Sequence, residues 1–153
     1  MNGTVVKNQL IFDYASGSLG VSKSIFASTY LYLNSKAAKL NSTFENMLGD
    51  NLIENYNEPI GKLKYSDCLK AKNDTPVRKI DSVSNSPISK IVGPLNEIKW
   101  KQVYKGFSEF TPNINDNDDE LKLIKMDPGA SVPLHSHGGK EYILVLDGSF
   151  CDE

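Results

Sequence analysis

Two histidines and a glutamate near the C-terminus carry the clearest chemistry in this 153-residue sequence. His135 and His137 are two apart, so on an extended strand both side chains leave one face. Gly138 and Gly139 follow, and paired glycines reverse a chain tightly. Glu141 then opens EYILVLDG at 141–148, whose Tyr, Ile, Leu and Val content reads as a buried strand. Strands folded back across Gly138, Gly139 and Lys140 would bring Glu141 beside both imidazoles. Two neutral nitrogen ligands and one carboxylate, with positions left open, suit a divalent zinc, iron or manganese ion. A lone histidine is ordinarily a surface or core residue, but the H-x-H-x3-E spacing favours a metal site.

A sheet must position these donors, and the preceding residues supply one. A strand is expected around 97–104, where Ile98, Trp100 and Gln102 alternate with Lys99, Lys101 and Val103. Phe107 and Phe110 mark a second, shorter one, and 121–126 alternates as a third, closed by a turn at Asp127, Pro128 and Gly129. The acidic run at 113–120 lacks the glycine and distal glutamate of a helix-loop-helix calcium site, so a hairpin loop is expected there.

The N-terminal third has a different period. Leu10, Ile11 and Tyr14 share a helical face, and Gly17 is placed to end that helix. Apolar residues then recur at Phe26, Tyr30, Leu33, Ala37, Leu40 and Phe44, in steps of three and four. Ser22 or Ser24 could cap this stretch, and Asn34 is a natural break and recap. Three helices are expected, at 8–17, 22–34 and 35–54, forming a small bundle. Between the halves, 55–90 is rich in Asn, Asp, Ser and Lys and punctuated by Pro59, Pro76 and Pro87, the composition of a linker.

Composition narrows the function classes. The net charge is -2 with no basic stripe, so direct nucleic-acid binding is unsupported. No apolar run approaches the ~20 residues of a membrane span, and the first residues make a poor signal peptide. Cys68 and Cys151 have no patterned spacing and read as reduced thiols, which favours the cytoplasm.

The spacing G-x5-H-x-H-x3-E-x6-G resembles the first metal-binding motif of the cupin superfamily, with Gly129, His135, His137, Glu141 and Gly148 falling on it. The wording at 127–153 is similar to the cupin half of ChrR-type anti-sigma factors. LIFDYASGSLG at 10–20 is likewise similar to a phrase in their helical domain. The resemblance implies an α+β chain: a three-helix anti-sigma-like domain at 1–55, a linker at 56–90, and the first part of an antiparallel cupin β-barrel at 91–153. A cupin's second motif is missing before Glu153, so the sequence reads as a fragment whose frame would continue to a further histidine. The zinc ligands that this family places in its helical domain match Tyr30, Asn34 and Ala37, none of which replaces a thiolate or imidazole, so no zinc is expected there.

By resemblance, the helical domain would bind an extracytoplasmic-function sigma factor, with Leu10, Ile11, Tyr14 and Phe26 in its core or on its partner face. The cupin half would sense a stress, often oxidative, through a metal on His135, His137 and Glu141. No catalytic residue is implied, and self-association is left open. The alternative is a metal-dependent cupin enzyme, such as a non-haem iron dioxygenase, with a helical dimerisation extension.

Overall fold

A computed structural model describes residues 3–54, 83–116, 119–132 and 138–149. The chain is α+β: helices at the N-terminal end and a three-stranded antiparallel sheet beyond them.

Helix α1 (Gly3–Ala15) ends as the glycine at 17 requires. Ser18 N–H donates to Asp13 C=O at 3.0 Å and Gly17 N–H to Tyr14 C=O at 3.0 Å. Those two bonds are the Schellman pair, with Gly17 at φ 71°, a left-handed backbone that costs glycine little. Helix α2 (Val21–Leu33) and helix α3 (Ser35–Glu54) are separated by Asn34 alone. Ile11, Leu31, Ala37 and Phe44 form the core of the bundle, and the rings of Phe12 and Phe44 meet edge to face at 5.5 Å. Leu10 and Ile11 are both buried, so they serve as core. Asn41 Oδ1 is also buried, with no hydrogen-bond partner among the described residues.

Residues 83–90, at the end of the expected linker, carry regular structure. A 3₁₀ turn (Val83–Asn85) leads into a short helix, α4 (Pro87–Val92). Ser86 caps it by accepting the Ser89 N–H, and Pro87 takes the first turn, where a missing N–H does no harm. Ile88 is buried, and its N–H donates to Thr29 Oγ1 of α2 at 3.1 Å.

Strands β1 (Lys101–Tyr104), β2 (Phe107–Phe110) and β3 (Leu123–Met126) pair in that order. The first strand starts later than its alternation suggests. Glu97 and Trp100 spend their N–H groups locally, on Pro94 and Ile98 carbonyls, and so cannot join a ladder. Gly106 turns the β1–β2 hairpin at φ 78° and lies against the 127–130 turn, where an added Cβ would come 3.3 Å from that of Ala130. Lys101, Glu109 and Ile124 lie in one cross-strand row. Glu109 takes ion pairs from Lys101 and Lys122, both at 3.6 Å.

The expected strand at 141–148 differs from expectation. Residues 141–146 alternate between exposed and half-buried, as an extended chain does, yet they belong to no strand among the described residues. Ile143 and Val145 are left exposed.

Candidate functional site

Of the three expected metal ligands, Glu141 is described and is exposed. His135 and His137 lie outside the described residues, as do Cys68 and Cys151. Among the described residues, no group of three or more His, Cys, Asp or Glu is placed to hold a metal ion. The donor set itself, two imidazoles and a carboxylate, suits a divalent transition metal.

The residue after Glu141 connects that region to the helices. The Tyr142 ring packs against Phe26 of α2, with centroids 5.9 Å apart. Phe26, expected in the core or on a partner face, therefore meets the C-terminal half.

The start of α2 is held from the same side. Its own N-cap, Gly20, has no side chain to offer, and neither Ser22 nor Ser24 caps the helix. Instead the Asp116 carboxylate, 94 residues further along the chain, accepts the Ser22 N–H at 2.7 Å. An anion suits this position, because the first-turn N–H groups are unpaired and the helix dipole is positive there. Ser22 Oγ donates to the Asp119 carbonyl at 3.1 Å, and Lys23 Nζ lies 2.8 Å from Asp119 Oδ1. The hydrogen bond to Asp119 holds the Lys23 ammonium above the ordinary lysine pKa. Desolvation opposes this, while the charges of Asp119, Tyr142 and Asp116 add to it. Nothing local marked Asp116 as a cap, since the residues it serves are remote in sequence.

At the other end of α2, the positions expected to replace zinc ligands form a hydrogen-bonded corner. Asn34 Oδ1 accepts the Ala37 N–H at 3.0 Å, capping α3, and its Nδ2 donates to Tyr30 Oη at 3.4 Å. Ala37 is buried in the core. The polar side chains at these positions thus satisfy one another and the helix terminus.

The chain is 24% identical over 154 residues to Anti-sigma-E factor ChrR from Cereibacter sphaeroides, covering 97% of this chain and 72% of ChrR. This is a ChrR-like chain. The match runs through both halves, so it concerns the two-part architecture and not the motif alone. No family model matches the sequence, and no solved structure matches it. That relative is, by its name, an anti-sigma factor. Among the described residues, no helix is long and apolar enough to cross a membrane.

Proposed function

We propose that this ChrR-like chain is an anti-sigma factor that sequesters an extracytoplasmic-function sigma factor through its helical half. The observation that carries this reading is the match to ChrR over 97% of this chain and 72% of ChrR, whose name declares it an anti-sigma-E factor. The helical half is suited to such work. Leu10, Ile11, Leu31 and Phe44 are used up in a core of its own, so half-buried residues such as Tyr14, Leu40 and Met47 remain at its margin. Apolar groups at the edge of a formed bundle are the usual anchors for a partner helix.

In this reading the C-terminal half is the sensor. His135, His137 and Glu141 would hold a divalent metal, which would supply a fixed positive charge and a ligand set that oxidants or competing ligands can disturb. The chain's own residues carry the result onward: Tyr142 leans on α2 beside Glu141, and α2 belongs to the bundle. The stimulus is proposed to be oxidative, as the resemblance implies.

Co-expression of the tagged chain with candidate sigma factors tests this directly. A sigma factor retained at near-equal stoichiometry, with loss of its transcription activity, is the expected result. Metal-dependent oxygen uptake by the purified chain, with no sigma factor retained, would overturn it in favour of a cupin oxygenase.

A further inference from the structure

Helix α2 is gripped along two stripes. Leu31 and Tyr30 face the bundle core. Ser22, Phe26 and Thr29, spaced four and three apart, form a second stripe, and each meets a different part of the chain beyond residue 83. Ser22 meets Asp116 and Asp119, Phe26 meets Tyr142, and Thr29 accepts the Ile88 N–H. Ser22 and Thr29 are buried, so this polar stripe is covered by the C-terminal half. Three separate segments thus converge on one helix face.

The loop between β2 and β3 makes the most electrostatic of these contacts. The Asp116 carboxylate sits so close to α2 that a Cβ on Gly20 would come 3.3 Å from Oδ2. The loop is not packed solid behind that contact. An open groove of about 270 Å³ lies beside it, lined by Ser22 of the helix and, from the loop, by Pro112, Ile114, Asp116 and Leu121 among others. The grip is therefore made of a few directed bonds at the helix terminus, with room beside them for the loop to shift. Directed charge contacts at a half-exposed surface weaken with salt and break without unfolding the core.

We propose that the β2–β3 loop is a latch, with Asp116 on the α2 N-terminus and Asp119 on Lys23, through which the sheet half and the helical half set each other's state. Releasing it uncovers Ser22 and frees the first turn of α2, while Phe26 and Thr29 stay held by Tyr142 and Ile88. Its use in regulation rests on the anti-sigma reading, but the latch itself needs no sigma factor and is tested on the full chain alone. Coupling between two elements is reciprocal, so each side must feel a change made on the other.

Hydrogen exchange on the full-length chain provides the test. Asp116→Ala removes the carboxylate. Gly20→Ala pushes on it from the helix side, at a φ of -62° that alanine accepts without strain. With Asp116→Ala, exchange at residues 21–25 is expected to rise at least tenfold. With Gly20→Ala, the rise is expected at 111–116. Protection around Phe44 in α3 should stay at its wild-type level in both. Asp119→Asn and added salt should each give a smaller rise in the same two segments. The latch is overturned if each variant loosens only its own segment, or if α3 loses protection together with α2. A chain that passes this test yet retains no sigma factor would leave the latch standing and remove the anti-sigma reading.

Discussion

Asn34 Oδ1 accepts the Ala37 N–H at 3.0 Å, one side chain closing the corner between two helices. Its amide nitrogen reaches back to Tyr30 Oη, so the two functions of the amide face opposite helices. Asn34→Ala should destabilise the chain by about 1 kcal/mol, the usual loss for an N-cap. Asn34→Asp keeps the acceptor and should recover most of that loss. Urea denaturation followed by far-UV circular dichroism distinguishes the two variants.

Phe44 is the most deeply buried large side chain among the described residues and packs edge to face with Phe12. Phe44→Ala should cost about 3–5 kcal/mol through lost contact and a residual cavity. Because a chain of this kind has little stability to spare, partial unfolding of the helices at 37 °C is the expected reading by circular dichroism.

Asn41 presents the opposite case. Its buried Oδ1 lacks a partner among the described residues, a state that carries a desolvation penalty of about 1–3 kcal/mol. Asn41→Leu should raise the urea midpoint. A fall would show that the amide has a role inside the bundle that packing does not reveal.

Lys23 gives a dependence on pH. Its pKa is raised in the folded chain, chiefly by the hydrogen bond to Asp119. A raised lysine contributes stability that is fully present below its unfolded value of about 10.4 and is lost as pH rises through the higher folded value. The latch should therefore hold across neutral pH and loosen only in strong alkali. Exchange at 111–116 and an NMR titration of the Lys23 side chain would both show it, and Lys23→Met should abolish the alkaline step.

The metal proposal is checked by composition. Purified chain should carry a divalent metal by elemental analysis, and His135→Ala, His137→Ala or Glu141→Ala should each lower its occupancy at least tenfold. The helical half, with Tyr30, Asn34 and Ala37 at its corner, should keep its circular dichroism in the presence of a chelator.

Local rules carried the helices and the order of the strands. The period at 26–44, the glycine at 17 and the asparagine at 34 each act within a turn or two, and α1 ends, and α2 and α3 begin and end, close to where those residues place them. Helix α1 starts at Gly3, ahead of the expected residue 8. Ser86 followed by Pro87 also had a local meaning, a capped helix start, which is masked when proline is read only as punctuation. The α2 cap could not be read that way. Asp116 is an ordinary acidic loop residue until the fold carries it to Gly20, and no pattern within a window predicts a partner 94 residues off. The run at 141–146 shows the converse, since strand-forming residues supply a propensity while a ladder needs a neighbour. The geometry of His135 and His137 against Glu141 lies outside the described residues.

Glu141 and Tyr142 are joined by a single peptide and differ in exposure, as neighbours on an alternating chain do. One is the carboxylate proposed to grip a cation; the other is a ring already lodged against Phe26. In the proposed reading such a pair would act as a rocker: an acid drawn onto a cation would shift the ring beside it, and that shift would reach α2 through Phe26 without any messenger crossing the interior.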